Sequence, residues 1–253
     1  MKTPLLFVLN WKQNPSQLKD AEILFKDISK LPLPKLSKMV VCPPSIFINH
    51  LSKLNKKKGT ISVGVQDVSL FTEGAHTGEI SASMIRSSGA QYAIVGHSER
   101  RKAGETSDEI SQKIKLALKA HLIPIVCVGE KIRDEQGTFW IELKEDIQTT
   151  FNGIPKPWLK DMIVAYEPLW AIGSDATRQA TGEEIEAVII FIKRVLADMY
   201  GVKAIEHIKV LYGGSVDSKN IKEYSVQNGV AGFLIGRAGL KTKELSKIVN
   251  VLS

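Results

Sequence analysis

Residues 163–174 read IVAYEPLWAIGS: an apolar run that meets an acid and then breaks into a proline–tryptophan turn. Ile163, Val164 and Ala165 do not alternate with polar residues, so the segment suits a strand covered on both faces, as in a parallel sheet. Seven other stretches repeat the theme: LLFVLN (5–10), KMVVCP (38–43), ISVGVQ (61–66), YAIVGH (92–97), IPIVCVG (123–129), IKVLYG (208–213) and GFLIG (232–236). Most intervals between them have room for a crossover helix. In the interval 181–201, Thr181 and Glu184 form a capping box, Ile185, Val188, Ile189, Ile192, Val195 and Leu196 make one apolar stripe, and Gly201 ends the helix. A second helix is expected over 108–121.

Eight strand–helix alternations in 253 residues, with no linker or low-complexity break, point to an α/β chain that forms one closed (β/α)8 barrel domain over residues 1–253. The competing architecture, an open doubly wound sheet, is weakened because no G-x-G-x-x-G follows an early strand.

Composition narrows the function. The chain is 43% hydrophobic and 24% charged, and no apolar run approaches the roughly 20 residues of a membrane span. The opening MKTPLLFVLNWK lacks the marks of a secretory signal, so a cytoplasmic location with no membrane partner is expected. Cys42 and Cys127 lie in apolar runs far apart, and neither C-x-x-C nor H-E-x-x-H occurs; buried free thiols are expected, with no metal or disulfide. The net charge of +7 suits a small anionic substrate. The densest basic run, KLNKKKG (53–59), complements a helix end and lacks the aromatics of a nucleic-acid stripe, so no nucleic-acid partner is expected.

In a closed barrel, chemistry collects at the carboxyl ends of the strands. Those ends carry Asn10-Trp11-Lys12, Gln66-Asp67, His97-Ser98-Glu99, Gly129-Glu130, Glu167, Gly213-Gly214-Ser215 and Gly236-Arg237. Singly, a lysine is a solvated loop residue, a histidine a cap, and a glutamate before proline a strand terminus. Closure brings them to one rim, where a desolvated glutamate can act as a general base and a histidine can donate to a carbonyl oxygen. A lysine there stabilises a developing oxyanion. The loops after strands seven and eight are the usual phosphate site of such a barrel, with a helix N-terminus aimed at the anion. Together these groups suggest proton abstraction beside a carbonyl on a small phosphorylated sugar.

The stretches NWK (10–12), GAHTGEIS (74–81), GHSERR (96–101), CVGE (127–130), AYEPLWAIG (165–173), YGGSV (212–216) and GFLIGRA (232–238), in this order, make the chain resemble the triosephosphate isomerase family along nearly its whole length. The resemblance implies a TIM barrel and an isomerase of central carbon metabolism that interconverts dihydroxyacetone phosphate and glyceraldehyde 3-phosphate, without cofactor or metal. It makes Glu167 the base and His97 the electrophile, on a short helix whose N-terminus disfavours an imidazolium. Asn10 and Lys12 would hold substrate oxygens, Glu99 would fix Lys12, and Ser98 would contact the base in the open site. Gly173, Ser215 and Gly236 would offer N–H groups to the phosphate. Pro168, Leu169 and Trp170 become the first hinge of a lid whose tip begins with Ala171, Ile172, Gly173 and Ser174, and Tyr212 would bond the closed lid.

Three positions depart from the family pattern. The lid reads AIGSDATRQAT (171–181) where members commonly read AIGTGKTAT, so it is two residues longer. Its tip gains Asp175, expected to face solvent, and its second hinge becomes Arg178-Gln179-Ala180. Arg237 stands where a second glycine is frequent; its N–H stays available to phosphate while its side chain is expected on the rim. His76 replaces an apolar residue in a loop that, in the family, enters the neighbouring subunit, where Thr77 approaches the partner's active site. A homodimer is therefore expected. A retired scaffold that only binds phosphate would be expected to lose the base or the electrophile. Both are present, and only the altered lid favours that alternative.

Overall fold

A computed structural model of the protein describes residues 4–55, 61–173, 176 and 178–252. Eight strands run parallel: β1 (Leu6–Asn10), β2 (Lys38–Cys42), β3 (Ser62–Val65), β4 (Tyr92–Val95), β5 (Ile123–Val128), β6 (Ile163–Tyr166), β7 (Lys209–Tyr212) and β8 (Val230–Ile235). Each pairs with the next, and β8 pairs with β1 through Leu6 and Gly232, which closes the barrel. Helices fill the crossovers, the longest being Gly182–Tyr200.

The period of two along a strand sorts the side chains into two cores. Leu6, Val8, Val40, Cys42, Tyr92, Ile94, Ile125, Cys127, Ile163, Ala165, Leu211 and Leu234 pack together as the barrel interior. The alternate residues, among them Phe7, Val41, Val95, Val126, Val164, Val210 and Phe233, join the larger core under the helices. Both faces are thus apolar, which is why the strands read as unbroken hydrophobic runs.

Local signals explain the boundaries. The capping box at Thr181 and Glu184 is formed, and Gly201 ends that helix at φ 87°. The second expected helix runs Ser107–Lys119, one residue earlier at its start and two at its end than its apolar pattern suggests. Thr106 and Glu109 close an unanticipated capping box there, and His121 turns left-handed just past the end. Strand β4 stops two residues short of the expected end because Gly96 takes φ 71°. Strand β8 starts two residues early, at Val230, where its ladder with β7 shifts register. Among the described residues, no helix is long and apolar enough to cross a membrane.

Leu211 fills the middle of the barrel and is fully buried. Leu211→Ala should therefore lower unfolding free energy by about 2–5 kcal/mol in a urea titration, without loss of helix content at 25 °C.

Candidate active site

The inward-facing rows continue past the strand ends and set the site. Two residues beyond Val8 comes Asn10; two beyond Ala165 comes Glu167. On β5, β7 and β8 the same step reaches Gly129, Gly213 and Gly236. The barrel mouth is therefore polar on β1 and β6, while β5, β7 and β8 contribute backbone without a side chain and leave room for their neighbours.

Glu167 is buried at this mouth. Its N–H donates to Val128 O at 2.8 Å, which extends the ladder with β5. Its Oε2 accepts the Ser98 backbone N–H at 2.9 Å, and its Oε1 lies 3.2 Å from His97 Nε2. Glycine is required beside it: a Cβ on Gly129 would sit 1.9 Å from the Glu167 carbonyl oxygen, and one on Gly213 would sit 2.9 Å from its Cγ. Cys127 lies one inward step below Gly129. Burial, and next the Glu167 charge, push its thiol pKa well up.

His97 caps the short helix Ser98–Lys102 with its own ring: Nδ1 accepts the Glu99 N–H at 3.2 Å. In the neutral ring this leaves the proton on Nε2, the nitrogen facing Glu167. Glu99 joins the ring to the cation. Its Oε1 binds Lys12 Nζ at 2.6 Å, and its Oε2 lies 3.7 Å from His97 Nδ1. Ammonium, imidazole and buried carboxylate thus form one continuous chain of contacts.

Lys12 is held in a left-handed conformation, φ 52°, that non-glycine residues rarely adopt. Asn10 Oδ1 accepts its N–H at 2.9 Å, and Gln66 Nε2 donates to its carbonyl at 2.7 Å. Such strain persists only where surroundings enforce it, and here it turns the lysine stem across Gly236, whose Cβ position lies 3.5 Å from Lys12 Cε.

After Glu167, Pro168 leads into a 3-10 turn, Leu169–Ala171, which Ile172 ends. Glu130 anchors this segment. Its Oε1 accepts from Tyr166 Oη, Trp170 Nε1 and Arg133, each at 2.8 Å. Burial, then the Glu130 charge, raise the Tyr166 pKa well above its usual value. Gly173 takes φ 79°, and the Ser215 hydroxyl donates to Ala171 O at 3.1 Å. Tyr212 is buried beneath Gly214, and burial raises its pKa. Where a helix N-terminus was expected after β8, Gly236 opens a single 3-10 turn, Arg237–Leu240, and Arg237 is exposed.

Other expected residues stand apart. His76 and Thr77 are exposed on the loop after β3, with His76 stacked on Phe71 at 3.7 Å between ring centroids. Ser174 and Asp175 lie outside the described residues. Gln66 and Gly129-Glu130 stand at strand ends, the latter within CVGE, but no individual role was read for them or for Arg133. Their importance is relational, set by what crosses the barrel to meet them. Among the described residues, no three His, Cys, Asp or Glu side chains are placed to share a metal ion.

Eight parallel strands closed into a barrel, with polar side chains gathered at their carboxyl ends, define an enzyme scaffold of the TIM-barrel class. The family model described as triosephosphate isomerase matches residues 5–252. A triosephosphate isomerase of Alkaliphilus oremlandii is 36% identical over 254 residues, covering 99% of this chain and 100% of that protein. One from Moorella thermoacetica is 37% identical, covering 99% of both chains. One from Dictyoglomus turgidum is 36% identical, covering 96% of this chain and 98% of its own. The chain belongs to the triosephosphate isomerase family and is an isomerase.

Because a Cβ at residue 129 must push the Glu167 backbone aside, Gly129→Ala should cut turnover by about 10²-fold, the loss that a displacement of roughly 1 Å within a site can cause. Steady-state assays, with circular dichroism to confirm the fold, check this.

Proposed function

We propose that the protein interconverts dihydroxyacetone phosphate and D-glyceraldehyde 3-phosphate in glycolysis and gluconeogenesis, as one barrel domain that needs no cofactor. The observation that carries this reading is the contact chain Lys12–Glu99–His97–Glu167, which ends on a buried carboxylate. Glu167 removes a proton from the carbon next to the carbonyl. His97 donates its Nε2–H to the carbonyl oxygen, while Lys12 and Asn10 stabilise the negative charge of the enediolate. The proton returns to the neighbouring carbon. Backbone N–H groups of Gly173, Ser215 and Gly236 hold the phosphate, and Arg237 adds positive charge at the rim.

The Ser98 N–H engages the Glu167 carboxylate in the arrangement seen here. Reaching the substrate carbon therefore requires Glu167 to leave that bond. In the proposed cycle the lid that Glu167 heads closes over the substrate and drives this exchange, excluding water and limiting loss of phosphate. Tyr212 receives the closed lid. A phosphate-binding barrel with impaired turnover is the second reading, favoured by the two-residue extension of the lid.

Glu167→Asp, which shortens the base by one methylene, should lower kcat by about 10²–10⁴-fold with KM changed far less. Coupled assay of glyceraldehyde 3-phosphate turnover checks it. Binding of substrate by the parent protein without turnover would sink the isomerase reading.

The protein is further proposed to act as a homodimer. Ile46, Phe71, Ile80 and Met84 are exposed apolar side chains, all in segments that follow the neighbouring strands β2 and β3, and Phe71 stacks on His76. Sedimentation equilibrium should give twice the 27.9 kDa of one chain, and Thr77→Arg should shift the species toward half that mass. A parent protein that sediments as a single chain would refute this.

A further inference from the structure

The stretch GHSERR (96–101) ends in two arginines, and the proposed reaction uses neither. Arg100 is half-exposed, with its Nε 2.9 Å from Asp67 Oδ2. Arg101 is enclosed, its side chain only 16% exposed, and all three of its guanidinium nitrogens are engaged. Nε donates to Gly96 O at 3.0 Å. One terminal nitrogen donates to Ser107 Oγ at 3.1 Å and to Asp146 Oδ1 at 2.9 Å. The other donates to Cys127 O at 3.1 Å and to Thr150 Oγ1 at 3.4 Å. Asp146, on the helix Phe139–Thr150, also accepts from the Ser107 hydroxyl at 2.6 Å.

Two of these acceptors are strand-end carbonyls beneath the site. Strands β4 and β5 pair as far as Val95 and Val126, and there Gly96, at φ 71°, turns the chain out of the ladder. The next carbonyls, those of Gly96 and Cys127, need donors that a neighbouring strand no longer supplies. The Arg101 guanidinium supplies both. One carbonyl immediately precedes His97. The other precedes Val128, whose own carbonyl accepts the Glu167 N–H. We propose that Arg101, with Asp146 as its counter-ion, is a positioning residue that splices β4 to β5 above their last paired residues and so holds the His97 ring at its distance from Glu167. A planar fork of N–H donors can bind two carbonyls and a carboxylate at once, whereas an ammonium cannot span them. Asp146 balances a charge that enclosure would otherwise leave unpaired. The inference rests on the roles proposed above for His97 and Glu167.

Arg101→Lys keeps the charge and loses the fork. It should lower kcat for glyceraldehyde 3-phosphate by about 10- to 100-fold with KM within about threefold, since the groups proposed to hold the phosphate lie on other strands. Its Tm should fall by less than about 8 °C. Ser107→Ala removes a bond from the same guanidinium but leaves both strand carbonyls held, and its kcat should stay within about twofold of the parent. Asp146→Asn keeps an oxygen for Arg101 but weakens the charge-assisted bond, for a loss in kcat of about three- to tenfold. Nitrogen-15 NMR of the imidazole reads the setting of His97 without turnover: the Nδ1 and Nε2 signals should move in Arg101→Lys and stay in place in Ser107→Ala. Ring signals that move in this way, in a protein whose parent form does not turn over, would uphold the splice while refuting the proposed reaction. Parent-like ring signals and kcat in Arg101→Lys would overturn the splice. Equal losses of kcat in Arg101→Lys and Ser107→Ala would overturn it too, since a merely structural bond gives that pattern. Should Arg101→Lys fail to fold, Asp146→Asn decides by the same two readouts, and parent-like values there overturn the splice.

Discussion

A carboxylate shut away from water must find donors inside the protein, and Glu130 finds three on one oxygen: the Tyr166 hydroxyl, the Trp170 indole and the Arg133 guanidinium. Two of these residues bracket Glu167. The backbone that carries Glu167 is therefore gripped one residue before it and three residues after it, from a neighbouring strand. Leu169 N–H adds a bond to Glu130 O at 3.0 Å. Arg133 compensates the charge and stacks 4.2 Å from the Phe139 ring, which ties the anchor to the next helix. Loss of any one donor would leave part of a buried charge uncompensated, so the position of Glu167 is coupled to the integrity of this cluster.

The same arithmetic that packs the barrel also empties its mouth. Along each strand every second residue points inward, and the inward rows end in Asn10, Gly129, Glu167, Gly213 and Gly236. Large apolar side chains fill the rows below, from Leu6 to Leu234. Glycine at the top leaves room directly above a solid core for Glu167 and the Lys12 stem. The depth of the site follows from where the row changes composition.

Much of this was legible in the residues. Eight continuous apolar runs identify the strands because parallel strands are buried on both sides. The polar triplets NWK and HSE, and the acid in YEP, stand at strand ends, where a closed barrel must bring them together. Less visible was the purpose of the glycines. In YGGS they read as ligand-facing N–H groups, whereas Gly213 and Gly214 also make room for Glu167 and the Tyr212 hydroxyl. Nothing local in Gly129 announces that the carbonyl of a residue far along the chain will pass within van der Waals range. The left-handed turn at Lys12 was equally hidden, since it depends on Gln66 reaching across from β3. Contacts between distant segments write no periodicity into either partner.

The pairing of Leu6 with Gly232 joins the first strand to the last. During synthesis β1 leaves the ribosome before the other strands of the barrel and waits, one edge bare, until β8 has emerged. Its row of unpaired amides and carbonyls is a template for any other extended chain nearby. Closure so distant in sequence is entropically slow, and slow closure lengthens the period of exposure. For this fold the hazard of aggregation is therefore concentrated before the last strand docks. The seam between β1 and β8 thus carries two burdens at once: it brings Asn10 and Gly236 to the same rim, and its late formation governs how much protein reaches the native state.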